Sequence, residues 1–381
     1  MRRALLISTA ALLAAGALGP ARAQTLTLAV DCAGGQTISH ALTQGDPRKP
    51  LVVVVSGTCN ELVTVARDDV TLRGVPGVGA TVNGPGSTEP VIYVLGRRAT
   101  IENLTLMGGR FGILVQSALG TMVQDCTIRN TSGDGIRVVV GELDVNTSVV
   151  QDTGGNGIAA FRGATLRVID GQILRNRLSG IRGDQNATVT ATGNTIANNG
   201  SNGVEFTNDS YGSIGTNTIT GNGTIPGRPG HGVFVSASQA VVSGSPDDPN
   251  DTPISDNRDG GVLSRAGSNV TINRTVISGS RGIGVHGMQG STILINGSMI
   301  SGHDVGILCV FDCALELVST TVRDSASDGI NVGSGSKLRF VAPISHSINN
   351  RDFGVFCDDA ASSLFGTSNL DGTMSPGCVV Y

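Results

Sequence analysis

The chain of 381 residues carries 55 glycines and only 15% charged residues, against usual shares of about 7% and about 25%. Since a glycine inside a helix costs about 1 kcal/mol relative to alanine, this content excludes a protein built on long helices, while 39% hydrophobic residues exclude wholesale disorder. A formal charge of −4 with two lysines, Lys49 and Lys337, excludes the basic footprint of a nucleic-acid binder.

Arg2 and Arg3 precede an apolar run, Ala4 to Leu18, that ends at Ala21-Arg22-Ala23 before Gln24. A charged start, an apolar centre and an A-x-A site form the pattern of a secretory signal peptide. The run is shorter than the ~20 residues of a membrane span, so it is read as removed after Ala23, leaving 23 basic and 30 acidic residues in a secreted or periplasmic protein. No later stretch approaches that length without charge or glycine, and no membrane span is expected.

Export places the seven cysteines in an oxidising compartment. Local pairing joins Cys32 to Cys59, Cys309 to Cys313 and Cys357 to Cys378, leaving Cys126 as a buried thiol on an inner face. Six paired cysteines permit about 15 connectivities, so locality is one solution among several. A zinc site is disfavoured because no C-x-x-C occurs and no histidine stands at ligand spacing from a cysteine pair.

After the leader come short β-prone segments, Val52 to Val55, Leu62 to Val65, Val70 to Leu72 and Ile101 to Leu106. From there a glycine followed by Ile or Val recurs at Gly112, Gly135, Gly157, Gly180, Gly203, Gly232, Gly261, Gly282, Gly306, Gly329 and Gly354. The steps are 23, 22, 23, 23, 29, 29, 21, 24, 23 and 25 residues, a period that marks a solenoid. Within each step two further segments alternate apolar and polar residues, such as Leu166-Arg167-Val168 and Thr195-Ile196, so each reads as a strand with one buried face. Three strands per step fit a chain that winds so that every strand pairs with its equivalent one step later. Asn or Asp stands four or five positions before the glycine, at Asn130, Asp152, Asn176, Asn198, Asn257, Asp324 and Asn350. These residue types tolerate the left-handed region and bond to nearby backbone, and stacked Asn side chains can bond along the axis.

This repeat resembles the right-handed parallel β-helix of the pectin-lyase-like superfamily, strongly from Gly112 to Val355. The resemblance implies an all-β fold, a single right-handed parallel β-helix. It implies a short N-terminal capping helix over Thr37 to Leu42, laid across an end that otherwise exposes core and strand edges. The chain then divides into leader 1–23, cap and first coils 24–111, and repeats with a C-terminal cap 112–381. The two 29-residue steps accommodate loops, Gly223 to Pro229 and Ser243 to Pro253, which are expected to emerge on neighbouring coils and wall a shared cleft.

The resemblance also implies a polysaccharide-binding or polysaccharide-acting protein, in the extreme case a lyase of uronate polymers. Such a lyase needs a base beside the uronate carboxylate and a cation to stabilise the developing charge, and in this superfamily Arg or Lys often works with Ca²⁺. Asp247, Asp248 and Asp251, with Asn250, form the densest acidic group and supply oxygens of the kind Ca²⁺ takes, although a solvated acidic loop broken by Pro246 and Pro249 has the same composition. Arg137 and Arg182 stand two positions after their ladder glycines, where the side chain points outward, and Glu205 and His286, the latter counted from Gly284, occupy the equivalent place on later coils. That row offers Arg182, Arg137 and Glu205 as catalytic candidates, but it also holds Ala159, Phe234, Leu263, Leu308, Asn331 and Phe356, a mixture typical of ordinary surface. Segments resembling the catalytic motifs of pectate lyases, mannuronan epimerases or polygalacturonases are missing. A non-catalytic extracellular scaffold or adhesin, monomeric and presenting loops to a cell-surface or protein partner, is the alternative.

Overall fold

In the computed structural model, residues 25–75, 77–244, 253–342, 344–358, 363–365, 374–376 and 378–380 are described. The leader and the acidic group Asp247, Asp248 and Asp251 lie outside them. The chain winds into a parallel β-helix in which every strand pairing is parallel and joins equivalent strands of successive coils. Three faces result. The ladder face is a sheet of thirteen strands, each beginning directly after a ladder glycine or within a residue or two before it, where one is present. A long face of mostly five-residue strands, such as Glu142–Asn146, and a short face of three-residue strands, such as Val149–Gln151, complete each coil. The first long strand, Leu51–Asn60, bends round the corner and pairs with Val70–Gly74 on one face and Ala80–Gly84 on the next.

Alternation along every strand turns Val, Ile and Leu inward, so one apolar core runs the length of the rod. Ile181, with the Ile158 and Val204 that it pairs with on neighbouring coils, has no solvent exposure. The recurrence of glycine has a steric cause. A Cβ at Gly180 would lie 2.6 Å from Ile196 Cγ2 and 2.7 Å from the Gly203 oxygen, so the corner closes only where no side chain exists. Register also corrects one rung. Val285, not Ile283, pairs with Val262 and Ile307, so the ladder glycine of that coil is Gly284 and the steps of 21 and 24 become 23 and 22. Both glycines precede an aliphatic residue, and inward packing of Val285 decides between them.

The polar turn row separates into two columns one residue apart. Asn130, Asp152, Asn198 and Asp324 adopt the left-handed region, with φ between 54° and 57°. One residue later, buried Asn176, Asn199, Asn222 and Asn257 stack; the first three each donate from Nδ2 to the next Oδ1 at 2.9–3.0 Å, and all four donate to a strand carbonyl on an earlier coil. His303 continues this column, its ring nitrogens each 3.1 Å from a carbonyl, of Ser280 and Ile277.

Both ends are secured as the repeat requires. Helix Ile38–Leu42, capped by the Thr37 hydroxyl, buries Ile38 and Ala41 over the first coil. Glu61 holds it there, accepting from Ile38 N at 2.7 Å and Ser39 N at 2.9 Å. Disulfides join Cys32–Cys59, Cys309–Cys313 and Cys357–Cys378. Cys126 is free and buried, and burial pushes its thiol up to about 12, an inert group. The two inserted loops leave different corners. Gly223 to Pro229 precedes the ladder strand His231–Ser236, whereas the other joins the long strand Gln239–Ser243 to the short strand Pro253–Ser255. The first loop borders the ladder face, whereas residues 245–252 of the second lie outside the described residues, and with them the expected shared cleft wall.

Candidate functional site

The outward row of the ladder face is in the register that the sequence implies. Arg137, Ala159, Arg182, Glu205, Phe234, Leu263, His286 and Leu308 are successive partners. Rungs of a sheet lie about 4.8 Å apart, so Arg182 and Glu205 are neighbours while Arg137 stands two rungs away across the small Ala159.

Arg182 and Glu205 meet, Nη1 to Oε1 at 3.4 Å. Arg182 Nη2 also lies 2.9 Å from Asp184 Oδ2, two residues along the same strand. The second Glu205 oxygen accepts from Ser179 Oγ at 2.6 Å and from Asn202 Nδ2 at 3.2 Å. Asp184 Oδ1 accepts from Asn208 Nδ2 at 2.7 Å. Burial works against the Asp184 carboxylate, but the Asn208 hydrogen bond and the Arg182 charge outweigh it and hold the carboxyl below its usual range. Arg182 Nε is buried with no protein partner. One guanidinium against two carboxylates leaves this cluster formally negative.

Arg137 belongs to a different environment. Its guanidinium donates to Asp134, Nε to Oδ2 at 2.7 Å, and lies over two aromatic rings, 4.5 Å from the Phe111 centroid and 4.9 Å from that of Phe161. Asp134 is nearly fully buried and is fixed from the next coil by the backbone and side-chain nitrogens of Asn156, at 2.8 and 3.0 Å. The stacked arginine borders an open groove of about 400 Å³ lined by Arg110, Phe111, Arg137, Phe161, Arg162 and Gln185, among others. Three guanidiniums against one carboxylate make it formally positive. The structure therefore brings Arg182 and Glu205 together and places Arg137 in a separate, basic and aromatic setting.

Asp134, Asn156, Ser179 and Asn202 are absent from the sequence reading of the site. They occupy one column, the residue before the ladder glycine, and the repeat could have revealed it. Phe111 and Phe161 come to Arg137 from the adjacent coils, 26 and 24 residues away along the chain. Further along the face His231 is pushed down to about 4, chiefly by burial, and burial also lowers His286, whose Nε2 is buried without a protein partner. Beside them Arg258 pairs with Asp259 at 2.8 Å and donates to the Gly223, Ile225 and Arg228 carbonyls, pinning the loop that borders the face. Among the described residues, Cys32, Cys59 and Glu61 alone are close enough to share a metal ion. The two cysteines are bonded to each other and Glu61 caps the helix, so this is no metal site.

Comparison with known families matches residues 90–245 and 250–381 to the model described as a right handed beta helix region. No curated protein matches the sequence. Among solved structures, the A-module of the mannuronan C-5 epimerase AlgE4 of Azotobacter vinelandii is similar, with a TM-score of 0.50, 16% identity, and coverage of 90% of this chain and 92% of that one. The Dettilon tailspike protein gives a TM-score of 0.51 at 13% identity, over 86% of this chain and 65% of that one. At these identities the likeness concerns the fold.

Proposed function

The chain belongs to the right-handed beta helix family, and we propose that it is an exported protein that takes an acidic polysaccharide lengthwise along its ladder face. The observation that carries this reading is Arg137, stacked between Phe111 and Phe161 and anchored to buried Asp134 in a groove with Arg110 and Arg162. A guanidinium whose rotation is frozen by stacking and pairing presents its remaining N–H groups to a uronate carboxylate at little further entropic cost. The rungs continue that groove towards Arg182, about 10 Å away, so one extended polymer can meet both arginines. Three disulfides suit an oxidising compartment, as export through the Arg2 to Ala23 leader requires. A scaffold of this shape serves a mannuronan epimerase in Azotobacter vinelandii.

The finer reading is an eliminating lyase. Glu205 would take the proton next to the uronate carboxylate, Arg182 would stabilise the charge that develops there, and the glycosidic bond to the neighbouring sugar would break, its oxygen leaving as an alcohol with a proton from water and a double bond remaining in the uronate ring. The non-catalytic scaffold rests on a different observation: both Glu205 oxygens are already engaged by Ser179, Asn202 and Arg182. Calcium enters only through Asp247, Asp248 and Asp251, so the assay is run with and without it.

Calorimetric titration with alginate and polygalacturonate oligomers tests the binding. Arg137→Ala is expected to weaken it about tenfold in a protein that circular dichroism shows still folded at the titration temperature, although less stable for the loss of the Asp134 pair, and absence of binding by the parent protein overturns the reading. Ultraviolet absorbance of the unsaturated product tests elimination. Loss of product in both Arg182→Ala and Glu205→Gln supports the lyase, and no product from the parent leaves the binding protein.

A further inference from the structure

At the corner where the ladder face turns into the long face, one coil is a residue short. Thr207, Ser236 and Arg265 are register partners at the ends of three successive ladder strands, and Tyr211, Gln239 and Asn269 are partners at the starts of the long strands that follow. Three residues, Asn208 to Ser210, make the first of these turns and three, Ala266 to Ser268, the third, but only Ala237 and Ser238 make the second. A notch of about 310 Å³ opens over the short turn, lined by Asp209, Tyr211, Ser238, Gln239 and Asn269, among others. The step from Gly232 to Gly261 is one of the long ones in the sequence, and its inserted loop hides the residue missing from this corner. We propose that the notch is a sugar subsite that holds one neutral pyranose unit of a glycan.

Its floor is fixed before any ligand arrives. Ser210 N donates to Ser238 Oγ at 3.2 Å, and Ser238 N donates to Ser268 Oγ at 3.3 Å. Ser210 and Ser268 turn their own hydroxyl hydrogens back to the carbonyls three residues earlier, of Thr207 and Arg265. Ser238, in the short turn, has no such acceptor among the described residues. A nearly fully buried hydroxyl at the notch therefore keeps an unspent donor, which a ligand oxygen can take.

The walls supply the rest. Among the described residues, none hydrogen-bonds to the side chains of Asp209, Tyr211, Gln239 or Asn269. Gln239 and Asn269 stand on adjacent rungs, about 4.8 Å apart, and each amide offers an acceptor and two donors. That set suits the hydroxyls of one ring, while Tyr211, 42% exposed, presents an aromatic face to its C–H groups. The volume lies at the low end of the roughly 300–1,000 Å³ that small-molecule sites span, which is room for one sugar unit. The lining holds one carboxylate and no guanidinium or ammonium, so a uronate brought here would meet like charge. Four rungs separate Arg137 from the coil of the short turn, ~19 Å along the rod. The proposal does not rest on the acidic polysaccharide reading, and the two can fail separately.

Saturation-transfer NMR and calorimetry of the full exported chain test it, with neutral tetrasaccharides of glucose, mannose, galactose and xylose, with oligouronates and with chitosan oligomers. At least one neutral tetrasaccharide is expected to bind, with transfer concentrated on the C–H protons of one unit, and about tenfold more weakly in Tyr211→Ala and in Gln239→Ala. Both side chains are exposed, so melting curves should superimpose on the parent's; should Tyr211→Ala melt lower, Gln239→Ala decides alone. Lack of binding by every neutral tetrasaccharide overturns the proposal, as does neutral binding that Gln239→Ala retains in full. Chitosan bound in place of the neutral sugars, and released by Asp209→Asn, makes this a cation site and overturns the neutral specificity. If oligouronates bind while neutral sugars do not, the subsite is lost and the acidic polysaccharide reading stands.

Discussion

Between residues 188 and 301 the same coils present very different surfaces on their three faces. The strands of the long and short faces, from Thr188–Thr192 to Met299–Ser301, contain no charged residue. Their outward positions are mostly Thr, Ser, Asn and Gln, with a few aliphatic side chains, Pro253, Met299 and the exposed Tyr211. The ladder strands that open the same coils, with the Ile181–Asp184 strand just before them, carry Arg182, Asp184, Glu205, His231, Arg265 and His286. The inward rows are nevertheless alike on all faces, buried and mostly aliphatic, with Phe206 and Ser264 as exceptions on the ladder face. Selection for winding acts on the inner rows everywhere. Within these coils charge sits on the ladder face alone, whereas before and after them the long face also carries it, at Glu142, Asp144, Arg167, Glu316 and Arg339, so the middle of the rod is where the ladder face stands out.

The largest expected effect comes from breaking what the faces share. Ile181→Asp puts an unpaired carboxylate into a core position with no solvent access. The cost is several kcal/mol, so the variant should lose most of its cooperative thermal transition, followed by circular dichroism. A parent-like melt would mean that the inner rows are not one common core. A smaller effect belongs to the polar column between the short and ladder faces. Burial lowers His303, partly offset by the carbonyls of Ile277 and Ser280 and by Asp304. A histidine whose folded value lies below the ordinary ~6.5 contributes stability that is complete above that pH and is lost as pH falls below it. His231 and His286 act in the same sense. His303→Asn restores the side chain used at Asn257, whose Nδ2 donates to the Ile219 carbonyl as His303 Nε2 faces Ile277. The variant should match the parent near neutrality and lose less stability on acidification from pH ~6.5, and an equally steep decline would show that His303 does not titrate with folding.

The inner rows could be read from the sequence because winding imposes a period on them. A rung repeats about every 23 residues, and a glycine is needed wherever a Cβ would strike the next coil, as at Gly180. Where two glycines compete, at Gly282 and Gly284, spacing favours Gly284 by only a residue or two, and packing of Val285 decides. The cysteine pairs were readable for a related reason: each joins neighbours within a coil or one coil apart, so short separations of 27, 4 and 21 residues are the natural ones. The site was readable only in part. Arg137, Arg182 and Glu205 share a row that the period exposes, but what distinguishes them is lateral. Phe111 and Phe161 sandwich Arg137 from the coils before and after it, and Ser179 reaches Glu205 from the preceding coil. Such contacts depend on turn geometry and side-chain direction, to which the recurrence of a residue type is blind.

The smallest expected effect tests the contrast between the faces most sharply. Thr271 is an outward residue of the long face between Val241 and Leu294. Arginine there can lay its aliphatic stem over both neighbours and keep its charge in water, so Thr271→Arg should alter stability by less than about 0.5 kcal/mol. It gives the uncharged middle of the long face a positive charge without stacked rings or a buried carboxylate to orient it. If acidic polysaccharide is held by the preorganised Arg137 groove, affinity in the Thr271→Arg variant should equal the parent's at physiological salt, where an exposed lone charge is largely screened beyond about 8 Å. Titration of this variant beside Arg137→Ala separates the two physical accounts. A gain in Thr271→Arg as large as the loss in Arg137→Ala would make binding a matter of net charge, available to any face, and the aromatic clamp around Arg137 would then have no part in it.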